Sequence, residues 1–265
     1  MWLCTVSIKG KTWTYLQIVL KINLHLSYPH IMEYEGTIYM MPQGHTMTLY
    51  KCTSFPTKWT HVKHLLSIKN PLVDITTVHY QDRWWAFGLQ TGSGKAYWRL
   101  HIYYADKLTG PWLPTPNNCY AGVRGSTCVG GENVTAYHKG GSKHVRPGGR
   151  MFVEDGKLYR MVQDSIRRYG DDLNLFEVTN LTTYGLLEEK LVPSFRMSLR
   201  AKTNIEVWNR KRYHHADLHK IPGNDGAPDR WVMLTDGDFN GGEYVAPKKY
   251  KVERCADVRS AYGIL

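Results

Sequence analysis

Two arginines four residues apart, Arg146 and Arg150, flank the pair Gly148–Gly149. On an extended segment, side chains at that spacing share a face. Planar guanidiniums so placed suit a phosphate or a uronic carboxylate, which each can grip at two points. Arg167 and Arg168 follow closely and add to the same charge, unless Asp164, Asp171 or Asp172 takes them in salt bridges. A second pattern is His215, Asp217 and His219, alternating along one strand face. It is able to hold a divalent cation, or to be a hydrogen-bonded core strand. Asp74 is a third candidate. Glycoside hydrolysis needs two carboxyl groups flanking the sugar, and Asp74 with Asp164 or Asp217 would supply them. Asp74 fits equally a buried carboxylate that satisfies backbone donors.

The elements that must position these residues form a repeat. Residues 144–178 hold its clearest copy: an apolar segment after Pro147, a tight turn at Asp155–Gly156, a strand Lys157–Val162, and a third strand Leu173–Val178. The same order is readable at 28–66, with turn Glu35–Gly36, and at 73–116, with turn Gln81–Asp82. Residues 4–20 read as a hairpin, and Trp13–Leu20 matches Trp59–Leu66 in placing Trp seven residues before a final Leu. Asp229–Leu234 repeats the pattern of Asp82–Phe87. Four short strands per unit of about 40 residues are the sequence mark of a β-propeller.

The expected architecture is therefore all-β: a five-bladed β-propeller of four-stranded blades in one domain over 1–245, with a basic tail at 246–265. Residues 1–20 are expected to be the remnant of a truncated first blade. Residues 28–66, 73–116 and 145–192 are expected as full blades, and 213–245 as the last. The first strand of each blade lines a propeller's channel, and ligands sit where those strands begin. Tyr28, His30, Asp74, Arg146, Arg150, His215, Asp217 and His219 stand at such starts. Trp84, Trp85, Trp98, Tyr103 and Tyr104 divide between blade core and sugar stacking.

Composition narrows the partners. The formal charge is +11, but the 34 Lys and Arg are scattered rather than clustered, so a nucleic-acid ligand is not expected. Cys4, Cys52, Cys119, Cys128 and Cys255 show neither CxxC nor Cys/His metal spacing, which signals no zinc site; Cys119 and Cys128 are close enough in sequence to pair across one loop. Sequons occur at Asn133 and Asn180. No 18-residue apolar span is present near the N-terminus, where Lys9, Lys11 and Lys21 interrupt the stretch, so neither anchor nor export signal is expected.

With these motifs in view, the chain resembles the N-terminal domain of glucosamine inositolphosphorylceramide transferases, itself similar to the five-bladed propeller of glycoside hydrolase family 43. The resemblance is carried by His25–His30 with Tyr39–Pro42, Phe55–Trp59, Trp84–Gly88, Tyr103–Trp112, Arg146–Arg150, Gln163–Gly170 and His214–His219, and runs over roughly residues 4–238. It implies a domain that precedes a separate glycosyltransferase domain acting on a sphingolipid head group in the Golgi or secretory pathway. It implies a glycan or phosphorylated glycolipid head group as ligand, and admits a divalent cation on the channel axis but no other cofactor. The ligand-binding set expected at the channel mouth is His30, Arg146, Arg150, Gln163, Tyr169 and His215, with Asp74, Asp164 and Asp217 as catalytic candidates. Where the family carries Pro-Glu, this chain has Pro42-Gln43, and where the hydrolases carry their acid it has Arg146-Pro147. The expectation is a recognition propeller, with a glycosidase and a purely structural or protein-binding propeller as its alternatives.

Overall fold

The computed structural model describes residues 2–6, 13–44, 46–66, 72–90, 99–116, 120–121, 145–164, 169–170, 172–185, 187–193, 195, 213–223 and 227–236. Every regular element among them is a β-strand, arranged in five antiparallel sheets that follow one another along the chain. Strands β1 (Trp2–Val6) and β2 (Trp13–Ile18) form the first. The second is the meander β3 (Ser27–Tyr34), β4 (Thr37–Gln43), β5 (Met47–Ser54) and β6 (Lys58–Leu66). The third runs β7 (Leu72–Tyr80), β8 (Arg83–Gln90), β9 (Arg99–Ala105) and β10 (Leu113–Pro114), with β11 (Tyr120–Ala121) also pairing β9. The fourth is β12 (Phe152–Glu154), β13 (Lys157–Asp164), β14 (Asp172–Leu181) and β15 (Leu187–Leu191). The fifth pairs β16 (Ala216–Ile221) with β17 (Arg230–Thr235).

Turn chemistry sets the first hairpin of the second, third and fourth sheets. Glu35–Gly36, Gln81–Asp82 and Asp155–Gly156 all have φ between 48° and 73° at both positions. Two consecutive left-handed residues make the turn whose twist matches that of the strands, and Gly and Asp tolerate it best. The registers Tyr34↔Thr37, Tyr80↔Arg83 and Glu154↔Lys157 close directly on these turns. Several strands run past their apolar stretch, because the ladder continues into polar residues: Gln90 pairs Leu72, and Asp164 pairs Asp172.

The core lies between sheets, in three layers. Met32, Met41 and Leu49 of the second sheet meet Ile75, Trp84 and Tyr103 of the third. Phe87 and Ile102 of the third meet Leu158 and Val178 of the fourth. Met161 and Leu175 of the fourth meet Leu218 and Trp231 of the fifth. Side chains on a strand alternate faces, so the neighbours Trp84 and Trp85 pack into different layers. The third and fourth sheets are thus covered on both sides by their neighbours, as blades are in a β-propeller. Trp84, Trp85 and Tyr103 are blade core, being at most 7% exposed.

One polar pair sits inside these layers. Arg160 donates to Glu189 from Nε at 2.5 Å and from Nη2 at 2.6 Å, joining β13 to β15 in a two-point bridge with side chains at most 1% exposed. Its guanidinium carbon lies 5.9 Å from the ring centre of Phe87 in the adjacent sheet. The expected strand Lys157–Val162 gives no hint that its one central charge is buried rather than solvated.

Candidate functional site

The candidate site is assembled where the first strands of four sheets begin. Tyr28 in β3 and Asp74 in β7 occupy matching places, each six residues before the last residue of its strand. Both have left-handed backbones, with φ of 45° and 54°, inside register irregularities at Ser27/His30 and Val73/Thr76. An extra residue in one strand bends it and redirects a side chain, here to Tyr28 and Asp74. Left-handed φ is uncommon for Tyr and easier for Asp.

The fourth sheet enters through Arg146–Arg150. Gly148 accepts a hydrogen bond from Ala216 N at 2.7 Å and donates to Met161 O at 2.9 Å. A Cβ on Gly149, whose φ is 146°, would lie 1.7 Å from Ala216 O, and one on Gly148 would lie 2.6 Å from Leu173 Cδ2. The two glycines let the fourth and fifth sheets touch backbone to backbone, and so bring Arg146 and Arg150 between Asp74 and Asp217.

Arg146 Nε donates to Asp74 Oδ2 at 2.5 Å, and Arg150 donates to Asp217 Oδ1 at 2.7 Å and Oδ2 at 3.4 Å. Gln163 Nε2 donates to the same Asp74 oxygen at 3.0 Å and to Pro147 O at 2.8 Å. Asp74 N donates to Gln43 Oε1 at 2.9 Å. The departure Pro42-Gln43 thus retains an acceptor for this buried N–H without setting a second negative charge beside Asp74.

Tyr28 Oη and Thr76 Oγ1 are 2.7 Å apart, and the Tyr28 ring meets His215 edge-on at 5.0 Å. Burial, reinforced by the charge of Asp74, pushes the Tyr28 phenol far up, so its hydroxyl keeps its proton. His30 Nε2 lies 3.0 Å from Thr77 Oγ1 and 3.1 Å from Thr77 N. Burial, with Arg150 adding to it, lowers His30 to about 4, which makes it a neutral imidazole at physiological pH. Burial lowers His215 in the same way.

Tyr169 closes the cluster at the surface, 46% exposed. Its ring centre lies 5.1 Å from the Arg146 guanidinium carbon and 4.7 Å from the His214 ring. Asp236 Oδ1 accepts from the backbone N of His214 at 3.0 Å and of His215 at 2.8 Å, and Oδ2 pairs with His214 Nδ1. Burial works against the Asp236 charge, but the His214 hydrogen bond and charge, together with the two backbone N–H groups, outweigh it and hold the carboxyl below its usual range. Sequence reading did not assign Asp236, His214, Thr76, Thr77 and Gln43 to the site; Gln43 carried a signal as a departure from the family pattern, and His214 as the first residue of the family segment His214–His219.

The structure thus brings His30, Asp74, Arg146, Arg150, Gln163, Tyr169, His215 and Asp217 into one connected region. Asp164, the next residue after Gln163 in an unbroken ladder, stands on the opposite face of β13 and opposite Asp172. Of the two readings open for His215, Asp217 and His219, a cation site or a hydrogen-bonded strand, the geometry gives no support to the first. His219 is exposed, Arg150 takes both oxygens of Asp217, and among the described residues no three His, Cys, Asp or Glu side chains converge as a metal requires. Arg167, Arg168, Trp98, Cys119, Cys128, Asn133 and the tail 246–265 lie outside the described residues.

Chemically, two of the three carboxylates offered for catalysis, Asp74 and Asp217, are engaged by guanidiniums, and Arg146 and Arg150 are engaged by those carboxylates. What remains is a fixed array of hydroxyl, imidazole and amide groups beside an exposed aromatic ring.

Comparison with known proteins places this geometry. Residues 3–238 match the family model "Glucosamine inositolphosphorylceramide transferase 1, N-terminal". Curated relatives named glucosamine inositolphosphorylceramide transferase 1 include one from Oryza sativa subsp. japonica, 35% identical over 240 residues, and one from Arabidopsis thaliana, 34% identical over 236. Each match covers 87% of this chain but 28% and 27% of the relative, so the chain spans just over a quarter of those proteins. Among solved structures, a GH43 β-xylosidase/α-arabinofuranosidase from a compost microbial metagenome superposes with a TM-score of 0.51 at 11% identity, covering 88% of this chain and 78% of that one. A GH43_1 enzyme from Xanthomonas citri gives 0.50 at 10% identity, covering 82% and 74%. These likenesses establish the propeller fold alone.

Proposed function

The chain belongs to the glucosamine inositolphosphorylceramide transferase N-terminal family, and from that membership we propose that it is a carbohydrate-recognition propeller accessory to glycosyl transfer onto a glycolipid or glycan. The transfer itself would belong to a glycosyltransferase domain of the kind its longer relatives are named for. A secretory-pathway location, in the Golgi, follows from the same reading. The observation that carries recognition over catalysis is the double neutralisation at the channel mouth, Asp74 by Arg146 and Asp217 by Arg150. Glycoside hydrolysis needs one carboxyl to give a proton to the leaving oxygen and another to act from the opposite side. Here Asp74 and Asp217 are each already held by a cross-sheet ion pair.

The test is direct binding. Neutral oligosaccharides and phosphoinositol glycan head groups are titrated against the chain by calorimetry and ligand-observed NMR, alongside aryl glycosides as hydrolysis probes. Saturable glycan binding without aryl glycoside turnover is expected. Turnover that disappears in Asp74→Asn would establish the glycosidase instead, and the absence of any saturable glycan binding would leave a structural or protein-binding propeller.

A further inference from the structure

Gln163 is 2% exposed and held from three directions. Its backbone N donates to Arg146 O at 2.9 Å, and its side-chain nitrogen donates to Asp74 Oδ2 and Pro147 O. A carboxylate oxygen and a proline carbonyl are both acceptors, so they fix the amide's orientation: the nitrogen must face them and the carbonyl oxygen must face away. That carbonyl oxygen, Oε1, is buried and has no hydrogen-bond partner among the described residues. An unserved buried acceptor is costly in a protein interior and asks for a donor from outside the chain's own set.

We propose that Gln163 is a specificity-determining residue of the channel site, its Oε1 accepting a hydrogen bond from a hydroxyl of a neutral polyol such as an uncharged sugar ring. The inference rests on the glycan-recognition reading and narrows it. A carboxylate has no proton to give at neutral pH, and although a phosphate can retain one there, the charged oxygens of either would set lone pairs against Oε1 beside the negative Asp74. The residue's other bonds orient the acceptor before ligand arrives, so little ordering remains to be done on binding.

The experiment titrates the unmodified 265-residue chain with D-galactose, D-mannose and myo-inositol, and separately with D-glucuronate and inorganic phosphate. The readouts are calorimetry and the side-chain amide signals of Gln163 in 15N-resolved NMR. Saturable shifts of those signals with at least one neutral polyol, none with phosphate, and a tenfold or greater weakening in Gln163→Met are expected. If Gln163→Met does not fold, the amide shifts in the unmodified chain decide. Neutral binding that leaves the amide unmoved overturns the role of Gln163 and leaves glycan recognition standing, as does preferential binding of glucuronate or phosphate that Arg146→Ala abolishes. No binding of any saccharide overturns both.

Discussion

Arg146 and Asp74 are 72 residues apart in the chain, yet their side chains meet at 2.5 Å with exposures of 17% and 6%. The contact spans two sheets, so it serves assembly as well as the site. Removing one member of a buried ion pair strands the other charge, whereas removing both leaves little penalty. Arg146→Met is expected to cost about 3 kcal/mol. Adding Asp74→Asn should recover part of that loss, and a double-mutant cycle in urea measures the coupling. Strictly additive losses would show that the pair contributes nothing as a pair.

Gly149→Ala drives a methyl group into Ala216 O and strains a backbone at φ 146°. The loss should reach about 3 kcal/mol, combining overpacking and backbone strain. Gly44→Ala, whose added carbon meets only ordinary contacts at 3.8 Å or more, is the control and should change stability by less than about 0.5 kcal/mol. Thermal denaturation of the two variants separates them.

Glu189→Ala leaves Arg160 without its two-point partner in a site at most 1% exposed. A loss of about 3–5 kcal/mol is expected, read as a fall in the urea midpoint at unchanged slope. It should leave sugar binding unchanged in whatever fraction stays folded, since the pair stands on the Phe87 side of β13 rather than at the channel mouth.

His30 sets an acid limit. Its folded value of about 4 lies below the usual 6.5, so between those values the unfolded chain binds a proton that the folded chain does not. Stability is then fully present above pH 6.5 and falls as pH drops toward 4, by up to about 3 kcal/mol from this group. Asp236, lowered instead of raised, contributes stability above the ordinary carboxyl range that is lost only at still lower pH. Unfolding free energies from pH 7.5 to 4.5 should show the slope, and His30→Asn should flatten it.

Tyr169 is the aromatic ring at the site that solvent reaches. Tyr169→Ala is expected to weaken glycan binding about three- to tenfold through lost stacking, with a change in melting temperature small beside that of Gly149→Ala. Binding constants from calorimetry on both variants check this.

Much of the fold was legible because its signals are local. The three turns at Glu35–Gly36, Gln81–Asp82 and Asp155–Gly156 need left-handed residues, and alternation places Trp84 and Trp85 on opposite faces. The site was legible as a set of strand starts, since topology alone brings those together. Its wiring was not. Nothing in the spacing of Arg146 and Arg150 says that Asp74 and Asp217 consume them, because the partners lie 72 and 67 residues away. The same holds for Arg160, whose partner Glu189 becomes visible only once β13, β14 and β15 are laid side by side. Adjacency in sequence separates faces on a strand, so Gln163, which reaches Asp74, and Asp164 point to opposite sides of β13.

The matched bulges at Tyr28 and Asp74 carry one more implication. The two residues differ in size, charge and chemistry, yet the same local backbone presents each of them. The bulge therefore presents a phenol in one sheet and a carboxylate in the next from one backbone shape. A designer seeking new chemistry on this scaffold has two pre-shaped positions at which to begin.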